Sequence, residues 1–584
     1  MSWAIQRKVI TTFIFPCYLH IHILDLVYVG ELSSPDEASS HSAQPYTKTL
    51  VTPYTHSSTY SKNFSFFIRE PNPNKLSSAK HRQLVQIPLK DSQNELEINL
   101  LKSKNQTETQ QREIAKNLEK WEKEDRRLEN SKTIKLQQDI SLPPAKFIKI
   151  NEVNKYRDQR VNVKGWVHHM RFQGKDLMLI VLRDGTANLQ SILTDRLCHT
   201  YDALTLTLES TVSLFGTIKT VIEGKSAPGD HELIVDYWEV ISKAPGDSEA
   251  VANKASVDSD PSIQYAQRHL LIRGDTESAV LKVRSYSLRA FRVHFHSIGY
   301  LEITPPSLEQ KIIEGGSSIF SLPYYDAGAC LSQSSQLYLE SCVPALGNVY
   351  TINESFRAEK LITRRHLTEY THLEVEAGFI TFEDLLDMIE NAVCGTIDFL
   401  LKDPVSRRLI EQLNPGFVTP TRPFMRMRYE DAIKWLNEHE VKRGDGNDFM
   451  YGDDIPESPE RLMTDTINRP IFLTHFPGPI KSFYMPRSKD DPRVTDSVDL
   501  LVPNVGEIVG GSMRISNYED MLSVFKTAKL NPDDLYWYLD LSKYGAFPHG
   551  GFGLGVERFL AWITNRYSVL DCCLYPRFPG NCKP

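Results

Sequence analysis

The sequence predicts an α+β protein in two unequal parts: a small five-stranded Greek-key barrel, then a large mixed domain that runs to the C-terminus. Three observations carry this. Between 150 and 245, short apolar runs are punctuated by Gly and Asp, which is the pattern of a small closed sheet. The stretch "KAPGDSEAVANKASVDSD" then has the composition of a connector, placing a linker at 246–261. From 262 onward, helical and strand periodicities alternate without an internal repeat, so 262–584 reads as one domain. A length of 584 residues is too great for one core and fits this division.

Along the chain, Arg7 and Lys8 precede an apolar run, "VITTFIFPCYLHIHILDLVYV", with the outline of a signal peptide or weak membrane anchor. Pro16, His20, His22 and Asp25 interrupt it, and Asp25 is costly in lipid. The expectation is therefore a cytoplasmic chain without stable membrane association. Residues 1–106 form an extension, rich in Ser, Thr, Asn and Pro and largely loosely structured. Residues 107–149 comprise a charged helix and a connector, and balanced charge favours a solvated helix over an RNA-binding arm. Net charge is −7, so any nucleic-acid surface must be local. Eight cysteines are scattered without a CxxC pair, which fits a reducing compartment and argues against a zinc ribbon or disulfide scaffold.

The barrel strands are expected in "VNVKGWVHHM", "DLMLIVLRDG", "NLQSIL", "STVSLFGTI" and "ELIVDYWEVI". The large domain opens with a helix that Asp275 or Thr276 can cap. Leu281, Leu288, Phe291 and Phe295 share one face of it, and Gly299 stops it. The strand "YLEITPP" follows.

Charge concentrates in "FRAEKLITRRHLTEYTHLEVE", Phe356 to Glu376. From Leu367 onward Glu369, Thr371, Leu373 and Val375 alternate with Tyr370, His372, Glu374 and Glu376, the period of a strand. Arg357 and Glu359, two apart, would share one side of a preceding strand, with Arg365 and His366 in the loop. Such clustered positive charge suits a polyphosphate, Tyr370 offers a flat surface for a base, and Glu359 can accept from an exocyclic amine. On residue types alone, a nucleotide site and a structural salt-bridge network fit equally.

Near the C-terminus, "HGGFGLGVERFLAWI" sets Gly551, Gly553 and Gly555 alternately along an extended segment. Another layer can approach that face closely. A dinucleotide fingerprint would need a βαβ unit and an acid about twenty residues on, and the chain is too short beyond it. Arg558 falls in the first turn of the following helix, free to meet a ligand. In "DSVDLLVPNVGEIVGGSMR", Asp499 and Glu507 fall on a strand pair with Arg514 beyond. Two such acids fit a magnesium–phosphate group or merely a solvated hairpin.

Together these segments resemble the class II aminoacyl-tRNA synthetases: motif 1 in "GYLEITPP", motif 2 in the charged stretch and motif 3 in "GFGLGVERF". A barrel ahead of the catalytic domain resembles the subgroup charging aspartate, asparagine and lysine. The segments "EGGSSIF", "QSSQLYLES", "RLMTDTINRPIFLTHFPGPIKSFYM" and "NVGEIVGGSMR" are most similar to its asparagine-charging members of the eukaryotic cytoplasm. The resemblance covers about 135–584. It implies an antiparallel sheet flanked by helices, a homodimer through motif 1, and an OB-fold anticodon-binding barrel at 150–245. It also implies ATP, asparagine and tRNA(Asn) as partners, with Mg2+ accompanying ATP.

Roles follow from the same resemblance. Arg357 and Arg558 would be catalytic. ATP would be bound by Arg357, Glu359, Arg365, His366, Leu367, Tyr370, Glu507, Gly553, Gly555 and Arg558, and the metal by Asp499 and Glu507. Glu314, Gln333, Gln336, Glu374 and Arg514 would hold the amino acid, and Leu179 and Gln190 the anticodon. Leu339 replaces the lysine of aspartate-charging relatives, which favours a neutral side chain. Three other readings compete: an aspartate-specific or dual-specificity synthetase, an amide-forming relative that uses no tRNA, and an inactive binding protein. The barrel argues against the second, and Arg357, Glu359, Glu507 and Arg558 against the third.

Overall fold

The computed structural model describes residues 108–221, 224, 226–310, 319–360 and 362–584. The extension 1–106, with the apolar run at 9–29, lies outside the described residues. A helix, α1 (Glu108–Ser131), opens the described part, where the charged helix is expected.

Five strands make the barrel: β1 (Arg160–Phe172), β2 (Leu177–Arg183), β3 (Asn188–Thr194), β4 (Thr211–Thr220) and β5 (His231–Ser242). Their order is β1-β2-β3-β5-β4, and β4 pairs back with β1 to close the sheet. Each expected strand is present. Alternation turns Val161, Val163, Met178, Ile180, Leu189 and Leu214 into a shared interior, which supplies the hydrophobic driving force for closure. A bulge in β1, where the register shifts between Val167 and His169, interrupts that alternation.

The large domain begins with α2 (Asp275–Ser297), whose Phe291 and Phe295 are fully buried. Its N-cap is Gly274, not Asp275. The Asp275 carboxylate instead accepts from His168 at 3.1 Å and Asn188 at 3.2 Å, both on the barrel. An eight-stranded sheet follows, built from β6 (Leu301–Glu302), β7 (Val349–Phe356), β8 (Glu369–Gly378), β9 (Met425–Arg428), β10 (Ile471–Thr474), β11 (Ser497–Val502), β12 (Gly506–Met513) and β13 (His549–Gly555). Its order is β9-β10-β11-β12-β13-β8-β7-β6. The interior pairs are antiparallel, and only the two edge pairs run parallel.

Helices α2, α4 (Phe382–Lys402), α5 (Pro404–Leu413) and α10 (Val556–Ile563) cover one face of this sheet. Leu373 and Val375 of β8 point into that core with Val509 of β12 and Leu554 of β13. The alternate residues of β8 face the other way, into a cleft. On that side lie α3 (Gln336–Leu346), α7 (Glu457–Ile467) and α9 (Tyr536–Lys543). One expectation fails locally: β7 ends at Phe356, so Arg357 and Glu359 lie in the loop after the strand rather than on it.

Candidate active site

The cleft encloses about 370 Å³ and collects residues from β8, β11, β12, β13, α10 and the loop between β7 and β8. Glycine explains why the acid-bearing face of β8 can lie so close to β13. A Cβ on Gly551 would sit 2.1 Å from both the Val375 carbonyl oxygen and a Glu376 carboxylate oxygen. One on Gly553 would sit 2.3 Å from His372 Nε2. Only hydrogen at these positions lets His372 and Glu376 lie across the neighbouring strand.

One half of the cleft is built from cations and acids that hold one another in place. Arg558, in the first turn of α10, donates to the Glu507 carbonyl and carboxylate, each at 3.0 Å. Arg365 donates to Glu507 at 3.2 Å and to Glu460 at 2.8 Å. Burial would raise the Glu507 carboxyl, but Arg558, Arg365 and Lys481 prevail and hold it down at about 2. Burial raises Asp499 against the pull of Lys481, which donates to it at 2.8 Å. Glu460 is pushed up to about 7 by burial, opposed by Arg365. His366 is lowered by burial and by Arg558, and its ring is engaged by Thr363 at 2.6 Å. Arg357 lies 5.8 Å from the centre of the Tyr370 ring, close enough for a cation–π contact.

Asp499 and Glu507 suit a divalent cation. A Cβ on Gly510 would lie 3.5 Å from Glu507 Oε1 and 3.6 Å from Asp499 Oδ1, so the two carboxylates converge over one glycine. Hard oxygen donors beside a cluster of cationic side chains match what magnesium asks of a protein.

The other half is closed and buried. Arg514 forms a two-pronged pair with Glu376, at 3.0 and 3.1 Å, and donates to Ser512 at 2.6 Å. Burial raises Glu376 despite Arg514, and Glu340 nearby raises it further. Behind this pair stands Glu340, 1% exposed, which accepts from Gln336 at 2.9 Å, Tyr538 at 2.9 Å and His549 at 3.0 Å. Glu374 lines the cleft but is tied to the start of α3, accepting from the Ser335 N–H at 2.8 Å and the Ser334 hydroxyl at 2.5 Å.

Among the residues singled out from sequence, Arg357, Glu359, Arg365, His366, Leu367, Tyr370, Glu507, Gly553, Gly555 and Arg558 all line this cleft, as do Gln336, Glu374, Arg514 and Asp499. Gln333 is buried but does not line it, and Glu314 lies outside the described residues. Leu339 both lines the cleft and packs with Val343, Val349 and Phe547. On the barrel, Leu179 and Gln190 share the outer face of adjacent strands, Leu179 opposite Ile192 and Gln190 opposite Val181. Gln190 donates to Glu232. Sequence reasoning did not single out Lys481, Glu340 or His549. It placed His372 and Glu376 on the right face without giving them roles.

Two family models match the chain. One, described as tRNA synthetases class II (D, K and N), covers residues 260–579, and the other, the OB-fold nucleic acid binding domain, covers 161–241. The Bos taurus protein named asparagine–tRNA ligase, cytoplasmic, is 53% identical over 472 residues, 80% of this chain and 84% of the relative. The Saccharomyces cerevisiae protein of the same name is 52% identical over 451 residues, 77% of this chain and 81% of the relative. Among solved structures, Entamoeba histolytica asparaginyl-tRNA synthetase in complex with asparaginyl-adenylate superposes with a TM-score of 0.71 at 41% identity, covering 76% of this chain and 100% of that one. The Pyrococcus horikoshii enzyme with the same adenylate gives 0.68 at 34% identity, covering 75% and 99%.

Proposed function

The chain belongs to the class II tRNA synthetases of the aspartate, lysine and asparagine group, and from that premise we propose that it acts as an asparagine–tRNA ligase. It activates asparagine with ATP to asparaginyl-adenylate and pyrophosphate, then transfers the asparaginyl group to the 3′ end of tRNA(Asn). It works in the cytoplasm, the compartment named for its bovine and yeast relatives. Two chains pair through the segment around 299–306.

One observation carries the reading: a single cleft joins a cation-rich half to a buried half floored by the Arg514–Glu376 pair. The first half takes the triphosphate. Arg357 meets the α-phosphate and Tyr370 stacks under adenine, whose amine Glu359 reads. Arg365, His366 and Arg558 meet the outer phosphates. Asp499 and Glu507 would hold a magnesium ion, which supplies neutralisation of phosphate charge. The second half takes asparagine, with Gln336 turned to the ammonium group and Arg514 to the side-chain oxygen.

The asparagine carboxylate oxygen attacks the α-phosphorus in line, the bond to the bridging oxygen breaks, and pyrophosphate leaves with the electron pair. No side chain need act as nucleophile. The residues align the two reactants and stabilise the charge that grows on the transferring group. In the second step a tRNA 3′-terminal hydroxyl attacks the adenylate carbonyl and AMP departs.

Asparagine is preferred over aspartate because Leu339 offers no charge and Arg514 already faces Glu376. An aspartate side chain would bring a further carboxylate into a buried pocket, costing several kcal/mol. Amino-acid-dependent ATP–pyrophosphate exchange should favour asparagine by at least about a hundredfold in kcat/KM, a discrimination polar sites can supply. Charging of tRNA(Asn) should follow. Equal use of both amino acids would point to a dual-specificity enzyme instead.

A further inference from the structure

Arg514 does not stand alone at the closed end of the cleft. It belongs to a buried group of four charged side chains that also includes Glu376, Glu340 and His549. Each is at most 6% exposed, so water contributes little screening. Their protonation can be read from geometry. His549 places Nδ1 2.9 Å from the Phe547 carbonyl oxygen and Nε2 3.0 Å from a Glu340 carboxylate oxygen. A carbonyl and a carboxylate are both acceptors, so both ring nitrogens donate and the imidazole is positively charged. Burial would lower His549, yet Glu340 raises it overall. Burial likewise opposes the Glu340 carboxylate, and His549 and Arg514 hold it ionised. Two tyrosines adjoin the group: Tyr484, whose ring centre lies 5.4 Å from the Arg514 guanidinium, and Tyr538, which donates a hydrogen bond to Glu340 and stays neutral because burial pushes its ionisation far up.

Glu376 accepts one bond from Arg514 at each carboxylate oxygen, which keeps it ionised although burial raises it, so the group holds two positive charges, Arg514 and His549, against two negative ones, Glu340 and Glu376. We infer that Glu340, which lies behind the substrate pocket, is a specificity-determining positioning residue: by pairing with His549 it balances the buried group to zero, so that the pocket accepts a neutral carboxamide and refuses a carboxylate. This inference rests on the proposed asparagine–tRNA ligase reading. Asparagine leaves the balance at zero, whereas aspartate leaves one uncompensated negative charge away from water. Glu340 also accepts from the Gln336 side-chain amide, turning that side chain's oxygen outward, away from the buried carboxylate.

Charge balance and simple packing predict different results in a three-protein comparison. In Glu340→Gln, His549 loses the carboxylate that raises it most, but Glu376 and the Phe547 carbonyl still favour its proton, so Arg514 and His549 face Glu376 alone and one positive charge is left for an aspartate carboxylate. In the double variant Glu340→Gln/His549→Gln the balance returns to zero. ATP–pyrophosphate exchange with asparagine and with aspartate is measured for all three. The asparagine-to-aspartate ratio of kcat/KM should fall at least about tenfold in Glu340→Gln and return toward the parent value in the double variant, as expected if one buried charge sets the discrimination. An unchanged ratio in Glu340→Gln, or an equal fall in both variants, overturns the inference. Should Glu340→Gln fail to fold, His549→Gln carries the test. Its surplus negative charge must keep aspartate out at least as well as in the parent, and relaxed discrimination there overturns the inference too. A parent protein that activates no asparagine at all overturns the function reading itself, a result distinct from these.

Discussion

Arg558 and Arg365 converge on one carboxylate, that of Glu507, and Lys481 holds Asp499 beside it. The carboxylates hold these cations oriented, and a triphosphate bound as proposed would exchange some of those contacts for charge-assisted bonds to phosphate. Losing one well-placed donor to developing charge costs roughly 2–4 kcal/mol, and Arg357→Ala or Arg558→Ala should lower exchange at least about a hundredfold. Exchange that survives nearly intact in both variants would refute the phosphate-site assignment. Single residues differ in how readable they are from sequence. Tyr370, Glu374 and Glu376 announce themselves because strand alternation assigns a face without any knowledge of the rest of the fold. Glu340 and His549 do not. They are 209 positions apart, and Glu340 sits in the apolar sequence of α3, so only the tertiary structure reveals that they meet.

Among the elements, β8 and β13 are read most fully from sequence, since glycine at every second position marks close approach. What it approaches was hidden: the register pairs Glu376 with Gly551 and Glu374 with Gly553. Overpacking a filled site costs typically about 1–3 kcal/mol. Gly551→Ala should therefore lower the melting temperature and raise the KM for asparagine, because the added methyl meets Glu376, the partner of Arg514. A variant with parental melting and KM would show that the strand pair has room to yield. The barrel behaves differently. Its strands were legible from short apolar runs, but contacts with a base depend on the outer face. There Leu179 is largely covered and Gln190 is joined to Glu232. A base stacked on an aromatic ring gains roughly 1–3 kcal/mol, so Leu179→Phe should leave tRNA binding unchanged or tighten it. Gln190→Ala should weaken charging, the outcome expected of a side chain that reads a base. Clear loss of charging in the Phe variant would show that Leu179 is not where the base lies.

At the scale of the molecule, the question is how a barrel that meets tRNA is fastened to a domain that makes the adenylate. The joint is polar and partly buried. Arg183, at the end of β2, donates to Glu209 at 2.9 and 3.0 Å and to the Arg273 carbonyl oxygen at 2.9 Å. Arg273, just ahead of α2, donates to the same Glu209 at 2.9 Å. His168, set by the β1 bulge, accepts from Arg183 and so carries its proton on the nitrogen facing Asp275. This explains why Asp275 does not serve as the helix cap that its sequence position suggests: its carboxylate bonds across the joint. Domain order was legible from composition, but such a joint was not, because its members come from four separate stretches of chain. Glu209 is its centre, with burial opposing its charge and Arg183 and Arg273 keeping it ionised. Removing one partner of a fully buried pair costs about 3–5 kcal/mol, and the cost here is smaller because Arg273 is 41% exposed, leaving Arg183 as the charge that loses its partner away from water. Glu209→Ala should loosen the joint while leaving the cleft, which it does not line, intact. Asparagine-dependent exchange should then be largely kept while tRNA charging falls at least about tenfold, a loss of about 1.4 kcal/mol in productive alignment. Equal loss in both assays would mean that Glu209 supports the fold as a whole rather than the alignment of barrel and catalytic domain.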